Sequence, residues 1–172
     1  MNPDGRIERA RLLYERSVFG GETGALEAGG RELDAVEADL SLARGRILHA
    51  LFLERQDEDP QELALSERAA TLYANLKDVR GEGESLFWVG VFHQVVRQDE
   101  GTAIPCLQRS LELATRVGDG LTMSYALRHL GIAALAAGRL DEARERLEES
   151  VRLRREVGFM AGVAANMVGL IT

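Results

Sequence analysis

The chain has 172 residues, of which 45 % are hydrophobic and 28 % are charged, as is typical of a folded globular protein. Its formal net charge of −7 disfavours nucleic acid and anionic membranes as partners, because both would repel the surface as a whole. The single cysteine, Cys106, excludes an intrachain disulfide and fits a reducing compartment.

No apolar run is long enough to predict a transmembrane helix. The first residues, MNPDGRIERARLLYERS, also lack the apolar segment of a signal peptide. Together with the cysteine content, these features predict a cytoplasmic protein in bacterial or similar redox conditions.

The chain is predicted to be nearly all α-helical, because it has only three prolines and most of its glycines stand where helices would end. Nine helices are predicted, at residues 4–18, 22–34, 37–55, 60–76, 81–97, 101–117, 121–137, 140–157 and 160–171. Their connections are short, so consecutive helices should lie antiparallel and in contact.

Several local signals mark the helix ends. The segment Asp59-Pro60-Gln61-Glu62 is typical of a capping box, in which the glutamate would turn back onto the first residue. Pro105 falls about one turn inside the sixth predicted helix, which predicts either a kink or a late start near Thr102. Three glycines are expected to end helices in the left-handed conformation: Gly118, Gly138 and Gly158.

The strongest pattern is an internal repeat of about forty residues. Segment 83–119 matches segment 123–159, and a fainter copy lies upstream, where His49 stands in place of the repeated glycine. The matched pairs are Leu86 with Leu127, Val89 with Leu130, Gly90 with Gly131, Ala103 with Ala143, Leu107 with Leu147 and Ser110 with Ser150. Gly90 and Ala103 are one residue further apart than Gly131 and Ala143, which predicts a one-residue insertion in the turn before Pro105.

A period of this size with two amphipathic helices per unit predicts a solenoid of stacked helix pairs. We expect one domain over residues 1–172. Its expected parts are a divergent helix pair at 1–36, repeats at about 37–79, 80–119 and 120–159, and a final unpaired helix at 160–172.

These residues resemble the tetratricopeptide repeat, and the long period is similar to the variety found in bacterial regulatory proteins. The resemblance implies a right-handed α-solenoid with a role in protein binding. Its small residues should lie where the two helices of a unit cross, because a missing side chain lets two backbones approach. The residues expected at these crossings are Gly90, Gly131, Ala103 and Ala143.

In such stacks the first helix of each unit lines a concave face, where a peptide or helix of a partner could bind. The candidate contacts are Arg46, Phe87, Trp88, Val91, Tyr125, Arg128, His129 and Leu135. Leu53, Val163 and Asn166 fall at corresponding positions of other units. The same apolar residues could instead form the core between neighbouring helices, and both interpretations stay open. A chaperone-type carboxylate clamp is not expected, because its lysines and asparagines are missing.

Two further functions remain open. One is a regulatory or sensory domain of a bacterial transcription or signalling system. The other is homodimerisation through the last helix, whose apolar side has no following helix to cover it. Catalytic residues, metal ligands and cofactors are not expected, since His49, His93 and His129 recur with the repeat rather than with the spacing of a metal site.

Overall fold

The computed structural model describes residues 4–171, and their side chains as far as Met167. This part of the chain contains eight α-helices and no strand. The helices are α1 (Gly5–Gly20), α2 (Ala25–Arg55), α3 (Gln61–Leu76), α4 (Val79–Val91), α5 (Glu100–Val117), α6 (Gly120–Ala136), α7 (Leu140–Glu156) and α8 (Met160–Ile171). The all-α helical-repeat architecture predicted from the sequence is confirmed, whereas the right-handed sense of the stack stays a prediction.

The prediction of nine helices is wrong for the described residues. The second and third predicted helices form one continuous helix, α2, of 31 residues. Its sequence between Asp34 and Glu37 contains neither glycine nor proline, so nothing there ends the helix. Two neighbours cover it in turn, since α1 packs on its first half and α3 on its second half. The predicted boundary at residue 36 therefore falls inside a helix.

Each helix packs on the next one, and α4 also contacts both α2 and α6. Helices α2, α4 and α6 thus form one row, with α3, α5 and α7 as their partners. The largest core cluster lies between consecutive pairs and contains Phe87, Val91, Ala103, Leu107, Ala126 and Leu130. Burial of these apolar side chains against neighbouring units is what holds a stacked-repeat protein together.

The helix ends follow the sequence signals in most places. Gly118, Gly138 and Gly158 have positive φ angles of 68°, 73° and 75°, as predicted for helix ends. The late start predicted near Thr102 is wrong, because α5 begins at Glu100 and contains Pro105 in its interior. Pro105 is exposed, and so is Gly101, whose carbonyl oxygen loses its helical donor and can bond water instead.

The one-residue insertion lies in a helix rather than in the turn where it was predicted. Helix α4 continues into a single π-helical turn, Phe92–Val96, which accommodates one extra residue. The loops after this turn and after α6 then have the same length, residues 97–99 and 137–139. The π turn therefore restores the spacing of the repeat and carries Gln94 toward α6.

Candidate functional site

A cavity of about 350 Å³ opens between α2, α4, α6 and α8. Its walls come from the row of first helices, together with the loop before α8 and one side chain of α7. The lining residues are His49, Leu53, Phe87, Trp88, Val91, Tyr125, Arg128, His129, Arg154, Phe159, Ala161, Gly162 and Ala165. Volumes of this order are typical of sites that hold a small molecule or one large side chain.

Aromatic rings form the central wall of the cavity. Phe87 stacks on Tyr125 with 5.4 Å between ring centroids, and Trp88 meets the edge of Phe87 at 5.2 Å. Phe159, from the loop before α8, lies edge-on to Tyr125 at 5.9 Å. These contacts hold the rings in fixed orientations, so an incoming apolar group meets a preformed surface.

The π turn fixes the histidine of the cavity. The Nδ1–H of His129 donates to Oε1 of Gln94 at 2.6 Å, and Nε2 of Gln94 donates to the His129 carbonyl oxygen at 3.2 Å. Burial, followed by the positive charge of Arg128, lowers the pKa of His129 to about 3. The ring is therefore neutral near pH 7, and its Nε2 remains a hydrogen-bond acceptor.

A second histidine is tied to the outer layer of helices. His49 on α2 and Glu62 on α3 are both buried, and Nδ1 of His49 lies 2.8 Å from Oε1 of Glu62. The ring of His49 also meets the edge of Trp88 at 5.5 Å. Glu62 therefore orients His49 from the side of α3. It does not make the capping-box contact predicted from the sequence.

Two arginines supply positive charge that no carboxylate of the described residues neutralises. Burial alone lowers the pKa of Arg128. Burial and the nearby charge of Arg128 lower the pKa of Arg154 to about 10. The Arg154 guanidinium donates to the Gly162 carbonyl oxygen at 2.6 Å and to Asn166 Oδ1 at 2.9 Å. Both guanidinium groups stay charged at neutral pH, so the cavity is cationic in a chain of negative net charge.

Six of the eight candidate contacts named from the sequence line this cavity, and two do not. The six are Phe87, Trp88, Val91, Tyr125, Arg128 and His129. Arg46 instead pairs with Glu84, and its guanidinium lies 5.9 Å from the centre of the Trp88 ring. Leu135 is 39 % exposed and lies outside the cavity, near the end of α6. Phe87 and Val91 are almost fully buried, so they serve the core as well as the cavity wall.

The sequence interpretation missed the contribution of α7 and placed α8 in the wrong register. Arg154 belongs to a second helix of a unit, which was not expected to reach the concave face. Val163 and Asn166 are buried inside the chain, whereas Ala161 and Ala165 line the cavity. Asn166 bonds both Arg154 and Ser150, at 2.9 Å and 2.6 Å, which locks α8 onto α7. The available sequence signal was that Arg154 falls on the buried side of α7, four residues after Ser150 and seven after Leu147.

The predicted crossing residues lie close together in the structure. An ideal Cβ on Gly90 would stand 2.8 Å from Cγ of Leu107 and 3.3 Å from the carbonyl oxygen of Ala103. The corresponding contacts of Gly131 with Leu147 and with the Ala143 carbonyl oxygen are 3.0 Å and 3.4 Å. Glycine at these two positions brings α4 against α5 and α6 against α7, which sets the spacing of the cavity walls.

Among the described residues, no group of three or more His, Cys, Asp and Glu side chains is placed to hold a metal ion. Burial, and then the charge of Glu67, raise the pKa of Cys106, which makes a poor nucleophile of this thiol. No helix in the described range has the length and apolar character needed to cross a bilayer.

The antiparallel pairs, their glycine crossings and the forty-residue period define the class of helical-repeat proteins. Residues 83–156, from within α4 to the end of α7, match the family model of the tetratricopeptide repeat, and this match supports the resemblance to that family. Repeats of this family generally mediate protein–protein interactions, and the family is typically not enzymatic. No curated protein and no solved structure matches the chain.

Proposed function

We propose that the chain is an interaction module that binds an extended peptide or a short helix of a protein partner on its concave face. The cavity between α2, α4, α6 and α8 serves as the anchor site. The observation that supports this most is the pair of arginines without carboxylate partners, Arg128 and Arg154, beside an aromatic wall. A partner that places an apolar side chain next to a carboxylate satisfies both features.

Each feature of the cavity contributes to the selection of such a group. Trp88 and Tyr125 offer large, rigid contact areas, and aromatic residues of this kind dominate binding energy at protein interfaces. A guanidinium donates paired hydrogen bonds to a carboxylate, and the pairing strengthens where water is partly excluded. His129 is neutral and adds an acceptor without adding charge.

A displayed peptide library tests this proposal. The wild-type chain should enrich peptides that carry an acidic residue beside an aromatic or aliphatic one. Trp88→Ala and Arg128→Gln should each weaken binding of those peptides by about tenfold or more, since central aromatic and arginine contacts commonly contribute above 1 kcal/mol. Arg144→Gln is the matched control, because Arg144 is exposed on α7 and lies outside the cavity. Equal binding by all four proteins would contradict the proposal.

A regulatory role in a bacterial signalling or transcription system is a second proposal. It is supported by the length of the repeat, since Gly90 and Gly131 are 41 residues apart. In that role the concave face would hold a segment of the regulated protein. Binding of a sensor or effector encoded beside this chain, lost in the Trp88→Ala variant, is the expected outcome.

A further inference from the structure

The hairpin of α1 and α2 leaves a long apolar face uncovered at the end of the stack. Leu26, Leu33, Leu40 and Ile47 follow one another at intervals of seven residues along α2. Their exposed fractions are 54 %, 49 %, 51 % and 63 %. At about 1.5 Å per residue the four side chains span about 32 Å of the helix. We call this set the leucine stripe.

The leucine stripe lies on the side of α2 that faces away from the rest of the solenoid. The buried residues of α2 that face the rest of the stack, Ala38, Leu42, Gly45 and His49, lie more than about 100° around the helix from the stripe. The next unit of the stack therefore cannot cover the leucine stripe. No helix of the described residues packs over it, which is why side chains of this size remain half exposed.

Helix α1 widens the same face. Gly29 of α2 points at α1, where its missing Cβ would stand 3.5 Å from the Ala10 carbonyl oxygen. With that contact fixed and about 100° of rotation per residue, one side of this antiparallel pair carries apolar residues from both helices. The residues that α1 contributes to it are Ile7, Tyr14 and Val18, each 45–53 % exposed.

We infer that this face binds a second copy of the same chain, in a symmetric dimer built on α1 and α2. A seven-residue apolar spacing supplies one of the two apolar positions of each heptad by which helices pack along their length, and a partner helix with the same spacing can pack against it. The chain itself carries such a helix. A twofold interface uses the same patch on both subunits, so no other surface is required.

The size and charge of the face fit this occupant. At a width of about 10 Å each, the roughly 32 Å of the leucine stripe and the roughly 24 Å of the 16-residue α1 present about 550 Å², which approaches the roughly 800 Å² per partner of a stable interface. Patches of this size are at the upper end of those found on monomeric proteins. The charges bordering the leucine stripe are of both signs, namely Arg44 and the ion pair of Glu37 with Arg68, so this face does not share the negative balance of the whole chain.

This interface differs from the dimer through the last helix that the sequence suggested. On α8, Val163 is buried within its own chain and Met167 is 46 % exposed. Val168, Leu170 and Ile171 lie outside the side chains that the structure describes. The leucine stripe is also at the opposite end of the stack from α8, so the two modes of association can be separated by mutation.

Light scattering coupled to size-exclusion chromatography tests the dimer with four proteins. The wild type should have twice the mass of one chain over about a hundredfold range of concentration. A double variant, Leu33→Glu with Leu40→Glu, should have the mass of one chain. Leu140→Glu, at a leucine that is 64 % exposed at the start of α7, and Met167→Glu on α8 should both stay dimeric.

Circular dichroism establishes that each variant keeps its helical content, as expected for substitutions of exposed residues. A wild type that has the mass of one chain at every concentration would overturn the inference. So would a double variant that remains dimeric, or a dimer that Met167→Glu breaks. The last result would assign association to α8.

Discussion

Gly131 lies directly against Leu147, with an ideal Cβ only 3.0 Å from the leucine Cγ, where α6 crosses α7. One repeat earlier Gly90 has the same relation to Leu107, at 2.8 Å. Both leucines are buried, so neither can move away without disturbing the core between adjacent units. The closest approach of each helix pair therefore depends on the absence of one side chain.

A larger residue at this crossing should destabilise the fold. Gly131→Leu overpacks the contact with Leu147 and should lower the free energy of unfolding by about 1–3 kcal/mol, measured by urea denaturation. Gly30→Ala is the control, because Gly30 is exposed in α2 and a Cβ there meets no atom within 4 Å. That change should raise stability by about 0.5–1 kcal/mol through helix propensity. Equal effects of the two substitutions would refute the crossing.

Replacement of Pro105 by alanine should stabilise the fold. It removes one backbone hydrogen bond from the interior of α5, at an exposed position where alanine fits. Pro105→Ala should raise the thermal midpoint, with a gain of about 1–2 kcal/mol after the added freedom of the unfolded chain is subtracted. Pro60→Ala should give no gain, because Pro60 stands at the start of α3, where a backbone N–H has no helical partner. A loss of stability in Pro105→Ala would mean that the proline suits its site.

The neutral state of His129 makes stability depend on pH. Its pKa is lowered to about 3 in the folded chain from an ordinary value of 6.5. Between pH 6.5 and about pH 3, His129 therefore binds a proton in the unfolded chain but not in the folded chain. The free energy of unfolding falls as the pH falls through this range. In His129→Gln, the loss of unfolding free energy from pH 7 to pH 5 should be smaller by about 1–2 kcal/mol. Parallel pH profiles for the two proteins would contradict the assignment.

Arg154 should control how firmly α8 is held. Arg154→Met keeps the length of the side chain but leaves the Gly162 carbonyl oxygen and Asn166 without their donor. The expected loss is about 1–3 kcal/mol, and hydrogen exchange should accelerate in residues 160–167 before the rest of the chain. Arg155→Met is the matched control, since Arg155 is exposed on the same helix. Unchanged exchange in α8 would show that packing alone holds the helix.

The fold was predictable because equivalent positions recur in each repeat. A residue in one unit therefore indicates the structural role of its counterpart in the next. The spacing of Gly90 and Gly131 from their alanines located the crossings, and six of the eight candidate contacts follow from the same register. Within α2 the prediction failed, because the divergent first repeat offers no breaker near Asp34 and only contact with α1 and α3 shows how the helix is shared.

Other features of the site could not be predicted, because they depend on contacts between helices that the order of residues along the chain does not indicate. Arg154 reaches the cavity from α7, a helix of the outer row. Glu62 orients His49 from α3, the helix next to α2. The π turn at Phe92–Val96 was visible in the sequence only as one extra residue, with no indication of where the helix would widen. The heptad spacing on α2 was also present in the sequence, but the exposure of those leucines is a property of the folded chain.

The concave cavity as the binding site is the central claim, and Trp88 reports on it because it is the chain's only tryptophan. Peptides selected by the wild-type chain should shift or quench its fluorescence in a saturable titration. The affinity so obtained should match calorimetry and should fall by about tenfold or more in Arg128→Gln. Full calorimetric binding with no change in Trp88 emission, and with undiminished affinity in Arg128→Gln, would place the ligand elsewhere and contradict the account.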